Sequence, residues 1–408
     1  MGSEIYFDNN ATTRLAPEAF EAMQPYLTVL YGNPSSIHGF GSQVSREIQE
    51  AREKVALFLG ASDPIEVVFT SCGTEGDNAA IRGILESRPE KRHIVTTQVE
   101  HPAVLALCQH LERKGYRVTW LSVDGDGMMD LDELKDSLSD DTALVSVMAA
   151  NNETGVIFPI EAVGEIVKAR GIPFHVDGVQ AAGKMPLDLK KSPIDLLTIS
   201  AHKFHGPKGI GALYVRRGIT FRPFIVGGHQ ERNRRGGTEN VAGIVGMGKA
   251  AELAFKHLGK EQKWVRYLRD RLEQSLLTVC PGCRVNGDRE RRLPNTANVS
   301  FEFLEGEAIL VLLDEYGICA STGSACTAGS VEPSHVLRAM RVPPNWIQGA
   351  VRFSLSLYNT EDEVDLVIQE MRRVVQRLRD LSALGKVSGG QRGGWADRTT
   401  LDRAGARG

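Results

Sequence analysis

The sequence predicts an α/β protein, with a large domain built on a wound, mostly parallel sheet and a smaller α+β domain after it. Three observations carry this. From Ile65 to Val215 short β-rich runs alternate with stretches of helical period, the pattern that places parallel strands in one sheet with helices between them. A long helical stretch over Val241–Leu277 then leads into a different rhythm, with few strands among several helices. The chain has 408 residues, enough to bury more than one core.

Each expected element has a local reason. Ile65–Thr70, His93–Thr97, Val118–Val123, Ala143–Met148, Phe174–Asp177, Leu196–Ser200 and Ala212–Val215 are short apolar or β-branched runs and read as strands. Gly76–Glu86, Val104–Lys114 and Ile160–Arg170 carry apolar residues at helical spacing and lie between them. In the later part, Ala297–Phe303 and Val351–Leu355 read as strands, and Gly306–Tyr316, Ser334–Met340 and Glu361–Leu381 as helices. After Leu384 the chain is rich in Gly and Arg and has no hydrophobic period, the composition of a disordered tail. The expected division is a large domain over 15–260, a smaller one formed by 1–14 and 261–384, and a tail over 385–408.

Composition narrows the function. Hydrophobic residues at 42% and charged residues at 24% describe a soluble globular chain. With 48 basic and 51 acidic side chains, the formal charge of −3 gives no electrostatic reason to expect nucleic acid or a membrane surface as partner. A small-molecule substrate fits better. No apolar run approaches the roughly 20 residues of a membrane span, and the N-terminus lacks the basic-then-apolar pattern of a signal peptide, so a cytoplasmic location is expected. Gly2 opens no myristoylation motif, because Tyr6 stands where Ser or Thr is needed. The 6 cysteines are too few for a disulfide scaffold in so long a chain, and free thiols are expected.

The residues that carry chemistry follow predicted strands. Asp177 closes Phe174–Asp177, and Lys203 follows Leu196–Ser200 through Ala201-His202. Ligands of open α/β sheets collect outside the carboxyl ends of the strands, which brings these two side chains to one ligand. A lysine able to form a Schiff base and a carboxylate able to keep a pyridine nitrogen protonated point to pyridoxal phosphate. Thr70-Ser71-Cys72-Gly73-Thr74-Glu75 passes from a strand into a helix, an anion site for which the plain alternative is an N-cap by Ser71 or Thr74. His101, in Glu100-His101-Pro102, could lie on a cofactor ring and move protons, or simply precede a helix that begins at Pro102. Asn151-Asn152-Glu153-Thr154-Gly155 offers an amide to a substrate or a turn, and Arg352 offers a planar fork to a carboxylate or a surface charge.

Small residues surround Cys326 in Ser321-Thr322-Gly323-Ser324-Ala325-Cys326-Thr327-Ala328-Gly329-Ser330, which marks an exposed, mobile loop and a working thiol. Cys319 is expected to be buried. Cys280-Pro281-Gly282-Cys283 has metal-ligand spacing but no second pair, and tetrahedral zinc needs four ligands, so no metal site is expected there.

Taken together, Tyr6-Phe7-Asp8-Asn9-Asn10-Ala11-Thr12-Thr13, Gly32-Asn33-Pro34-Ser35-Ser36, Glu100-His101-Pro102, Asn151 to Gly155, Ser200 to Lys203, Arg235-Gly236-Gly237-Thr238-Glu239-Asn240 and Gly323-Ser324-Ala325-Cys326-Thr327 stand in one order over Tyr6–Leu381. This set resembles the pyridoxal-phosphate-dependent cysteine desulfurases. Gly227-Gly228-His229-Gln230-Glu231-Arg232 and Leu293 to Asn298 look like the NifS-like, nitrogen-fixation branch, although similar enzymes also serve general iron–sulfur assembly.

The resemblance implies a fold-type I, aminotransferase class V-like transferase. Lys203 would hold the cofactor, Asp177 its ring nitrogen and Gln180 its ring hydroxyl. His101 would stack on the ring and shuttle protons. Gly73, Thr74, Ser200 and His202 would bind the phosphate, with Thr238 acting across a homodimer interface. Asn152 and Arg352 would bind the substrate carboxylate, with Asn33 near it. Cys326 would take sulfur from L-cysteine as a persulfide, leaving alanine, and pass it to an iron–sulfur scaffold protein. A transient iron–sulfur contact at Cys326 is the one metal contact considered.

Two enzyme alternatives share the fold, a selenocysteine lyase and an aminotransferase. Transamination needs no thiol nucleophile. A non-enzymatic iron–sulfur assembly or sulfur-binding protein would have no use for Lys203, Asp177 and His101 together.

Overall fold

The computed structural model describes residues 4–322 and 333–389. Its centre is a seven-stranded sheet in the order Val67–Thr70, Gly211–Val215, Leu196–Ser200, Phe174–Asp177, Thr142–Met148, His93–Thr97, Arg117–Leu121. Gly211–Val215 is antiparallel to both neighbours, and the other adjacent pairs are parallel. Every residue of Thr142–Met148, Phe174–Asp177 and Leu196–Ser200 is buried, as strands covered on both faces must be. His175 in the central one is matched across strands on both sides. His175 Nδ1 lies 2.9 Å from Ser146 Oγ and its Nε2 3.1 Å from Thr198 Oγ1, and burial pushes the imidazole down to about 3, so it stays neutral.

The observed elements follow the expected ones with shifts at their ends. Ile65 and Glu66 form a single turn of 3-10 helix, Pro64–Glu66, ahead of the strand, because Asp63 and Glu66 make a reciprocal capping box there. Val241–Leu277 is divided into Val241–Lys260, a π turn over Glu261–Val265, and Arg266–Val279. Glu361–Gly389 continues past Leu384, since extending a formed helix costs little per residue. The rest of the expected tail lies outside the described residues.

Several helices go beyond the expected set, and the two longest are Pro17–Thr28 and Gly39–Leu59. The second begins with two glycines, but His38 Nδ1 accepts from Gly41 N and Val44, Ile48, Ala51, Val55 and Leu59 form a buried stripe.

Apolar packing forms distinct cores. One joins the sheet to Ala51–Leu59, Ile244–Ala251 and, late in the chain, Val336, Leu337, Met340 and Ile347. Another gathers Ile5 and Phe7 with Val265–Cys280, Val299, Phe301, Ile309–Leu313, Val351–Leu355 and Val364–Val375. Ile5–Tyr6 enters it by pairing parallel with Ile318–Cys319. The N-terminal segment 8–13 thereby runs from the second core across the carboxyl ends of the large sheet. Cys319 is half-buried, not buried as expected, because it sits in this two-stranded edge. Cys280 is buried and its thiol is pushed up to about 12 by burial, and Cys283 Sγ lies 3.4 Å from the carbonyl of Leu276.

Candidate active site

A cavity of about 230 Å³ opens at the carboxyl ends of the parallel strands, where the topology makes the loops converge. Its walls include Gly73, Thr74, His101, Asn152, Asp177, Gln180, Ser200, His202 and Lys203, nine of the positions singled out in the sequence. They come from turns after five different strands.

The first turn supplies an anion cradle. The helix Gly73–Ser87 has Cys72 as N-cap without any side-chain cap, so the capping alternative for Ser71 and Thr74 does not hold and first-turn amides are left for a ligand. A Cβ on Gly73 would come within 2.9 Å of Val179 Cγ2, so glycine is what lets this turn lie against the Asp177 loop. Ser200 Oγ is buried without a partner among the described residues and faces the same region. Glu75 accepts from Ser71 N (2.7 Å) and from Arg235 Nε (2.9 Å). Burial opposes its ionisation, but those bonds hold its carboxyl below the ordinary carboxylate range.

Across the cavity, Asp177 Oδ1 accepts from Val179 N at 2.9 Å, and burial pushes its carboxyl up to about 6 against the pull of that bond and of Lys203. A buried carboxylate in such a place is stabilised by a cationic ring N–H. Gln180 Nε2 donates to Asn10 O at 3.0 Å, while its Oε1 is buried and has no partner among the described residues. These orphaned acceptors, with the uncapped helix and the lysine, fit a phosphorylated pyridine aldehyde at each of its polar corners.

His101 caps the helix Pro102–Glu112, its Nδ1 accepting from Ala103 N at 3.2 Å. That bond assigns its proton to Nε2. Burial and the nearby Lys203 and His335 push it down to about 4, so the ring is neutral at pH 7. The loop reading holds, and the same imidazole that caps the helix also lines the cavity.

Lys203 Nζ donates to the carbonyls of Asn10 (2.5 Å) and Ala11 (2.9 Å), and His202 Nδ1 lies 3.2 Å from Thr12 Oγ1. Asn10 Nδ2 also reaches Asn152 O at 3.1 Å. Arg352, 2% exposed, donates to Asp8 Oδ1 at 2.6 Å and to Asn152 O at 3.0 Å, so it is not the surface charge that its strand position allowed. The segment Asp8 to Thr12 therefore touches Asn152, Gln180, His202, Lys203 and Arg352. Its motif was visible, but no role followed from it, since its contacts are mostly main-chain carbonyls brought in from more than 140 residues away in sequence. Asp77 was missed as well. It lies one helical turn beyond Gly73, faces the cavity, and is pushed well up by burial and by Asp177.

Two expected residues are placed elsewhere and a third is not described. Asn33 is exposed, its Oδ1 accepting from Ser35 N, and does not line this cavity. Thr238 is exposed beyond Glu231, Arg232 and Asn233, three consecutive left-handed residues held by the bidentate Arg52–Glu231 pair at 2.7 and 2.8 Å. Cys326 lies outside the described residues.

Glu100, next to His101, is fully buried and accepts from Thr97 Oγ1 (2.7 Å) and Met148 N (3.0 Å). Burial raises its carboxyl from 4.5 to about 8. The folded value exceeds the unfolded one, so the stability this group contributes is complete below pH 4.5 and is lost as pH rises toward 8, by up to about 5 kcal/mol. Glu100→Gln imitates the protonated acid and escapes that loss. Its melting temperature relative to the parent should rise between pH 5.5 and 8.5, and an advantage independent of pH would contradict the assignment.

The aminotransferase class-V family model matches residues 5–367 of this chain. A cysteine desulfurase of Trichormus azollae is 63% identical over 380 residues, 93% of this chain and 95% of that protein. The cysteine desulfurase NifS of Azotobacter vinelandii is 53% identical over 380 residues, 93% and 94% of the two chains. A solved NifS-like protein superposes with a TM-score of 0.87 at 43% identity, over 92% of this chain and 100% of that one. The chain belongs to the aminotransferase class-V family and, within it, to the cysteine desulfurases. Enzymes of this family use pyridoxal phosphate.

Proposed function

We propose that this protein is a pyridoxal-phosphate-dependent cysteine desulfurase that converts L-cysteine to L-alanine and transfers the sulfur to Cys326 for iron–sulfur cluster assembly. The observation that carries this reading is the convergence of Lys203, Asp177, His101 and the unpartnered Ser200 Oγ and Gln180 Oε1 on one cavity. The cofactor supplies an electron sink that acidifies the substrate α-carbon and accepts charge when the C–S bond breaks.

The chain's residues do the rest. Arg352 and the Asn152 amide hold the substrate carboxylate, which fixes the α-carbon. Lys203 would hold the cofactor covalently, and its amine, once released, would take the α-proton. Asp177 stays ionised against the ring N–H. His101, neutral at pH 7, stacks on the ring and accepts or returns a proton at Nδ1 once its cap to Ala103 opens. Gly73, Thr74, Ser200 and His202 anchor the phosphate. The Cys326 thiolate attacks the substrate sulfur, an S–S bond forms as the C–S bond breaks, and the carbon skeleton leaves as alanine after protonation.

In this reading the cofactor domain spans 15–260, and 1–14 with 261–384 forms the smaller one. The working unit is a cytoplasmic homodimer. Leu27, Val29, Tyr31 and Val226 are each more than 60% exposed, an apolar surface that a second copy would cover. Thr238 would complete the partner's phosphate site, and an iron–sulfur scaffold protein would accept the sulfur. No described helix is long and apolar enough to cross a membrane.

The test is release of alanine and sulfide from L-cysteine, with selenocysteine and other amino acids as competitors. Formation of 3-mercaptopyruvate in place of alanine and sulfide would favour an aminotransferase. A colourless protein unchanged by L-cysteine would reject the enzyme reading. For the dimer, mixing inactive Lys203→Ala and Thr238→Ala chains should regenerate activity in heterodimers, and a fully active monomer in sedimentation would reject it.

A further inference from the structure

Lys184 and Glu261 are buried charged side chains, 4% and 6% exposed, that the reaction above does not use. An ammonium carries three donors. Lys184 Nζ directs two of them to main-chain carbonyls, Gln180 O and Lys203 O, each at 3.3 Å. Gln180 and Lys203 face the cofactor cavity from loops after two neighbouring strands, Phe174–Asp177 and Leu196–Ser200. One cation therefore grips both loops from behind.

Around Lys184 is a small space of about 30 Å³ lined also by Asn9, Lys203, His205, His257 and Glu261. That volume admits about one water, enough to bridge the ammonium and the carboxyl. Glu261 opens the π turn Glu261–Val265, where the helix running from the first core passes into the second. Such turns concentrate at functional places in helices. Burial pushes Lys184 down to about 8 and Glu261 up to about 7, and the charge of each opposes the other's shift. The titratable neighbours are His205, His257 and Lys203, with His202 close enough to feel the same cation. A buried pair is a poor way to add stability, which leaves its placement to be explained.

We propose that Lys184 is a positioning residue that fixes the main chain of Lys203 and Gln180 against the cofactor, and that Glu261 links this grip to the helical joint between the two cores. The proposal rests on Lys203 being the cofactor lysine. Lys184→Met keeps the bulk and removes the donors, and Glu261→Gln keeps the shape and removes the charge. In the holoenzyme, Lys184→Met should lower kcat about tenfold or more and leave KM for cysteine within about twofold, as a misplacement of reacting groups does. The pH titration of the lysine-bound cofactor's absorbance should also shift. In cofactor-free protein, amide hydrogen exchange over residues 201–206 should accelerate. Glu261→Gln should move each readout in the same direction by less, and the double variant should be no worse than Lys184→Met alone.

A Lys184→Met protein that melts earlier while kcat, the absorbance titration and exchange over 201–206 all match the parent would overturn the proposal, as would additive effects of the two changes. Should Lys184→Met not accumulate folded, Glu261→Gln decides by the same measurements. The exchange arm separates the two readings. Faster exchange in a protein whose parent lacks desulfurase activity rejects the proposed function alone, and unchanged exchange beside an active parent rejects the positioning role alone.

Discussion

Lys203→Ala should lose covalently held cofactor and at least about 10³-fold in turnover, because one side chain both holds the cofactor and moves the α-proton. The loss should spare the fold. Lys203 spends its ammonium on the carbonyls of Asn10 and Ala11, and segment 8–13 keeps other anchors, among them Thr13 N to His202 O and Asn9 N to Ser354 O. Circular dichroism and melting should therefore stay close to the parent while the absorbance of lysine-bound cofactor disappears. Borohydride reduction followed by peptide mapping gives the sharper check. Label on a different lysine would end the assignment, and with it the reading of the cavity.

Cys326→Ala should have an equally large effect on sulfur release with a different signature. The variant should bind pyridoxal phosphate normally and still change its spectrum on adding L-cysteine, since Arg352, Asn152, Asp177 and Lys203 are untouched. It should form no persulfide and release almost no sulfide. The argument is local. Gly323, Ser324, Ala325, Ala328, Gly329 and Ser330 surround Cys326 with small side chains in the sequence, and the chemistry needs the thiol first above the cofactor and then at an acceptor. Cys319, in a strand paired with Ile5–Tyr6, has no such reach, and Cys319→Ala should keep activity apart from a stability cost. Full turnover in the Cys326 variant, or a persulfide mapped by mass spectrometry to another cysteine, would sink the assignment.

Much of this site is legible in the chain because each part is announced by a local rule. A strand end followed by a demanding residue identifies Asp177, His101 and Lys203, and a strand passing into a helix through Ser71-Cys72-Gly73-Thr74 identifies the anion cradle. Local rules stop where a residue acts through its main chain. Asn10 and Ala11 meet Lys203 through carbonyls, and Lys184 does its work on carbonyls too. Every residue has a carbonyl, so no residue type advertises these contacts.

The sequence by itself determined the parallel sheet, the order of its strands along the chain and the family to which the chain belongs. Periodicity and strand-end residues are short-range properties, and the ordered motifs added the family. The tertiary structure decided the rest. It placed segment 8–13 across the sheet and set Asp8 against Arg352 over 344 positions. It left Ser200 and Gln180 with buried oxygens that have no partner among the described residues, and it set Lys184 and Glu261 around one small space. The physical reason is that burial and charge coupling are sums over everything nearby. The shift of Asp177 to about 6 or of His101 to about 4 belongs to a packed environment, and that environment exists only once distant segments have met.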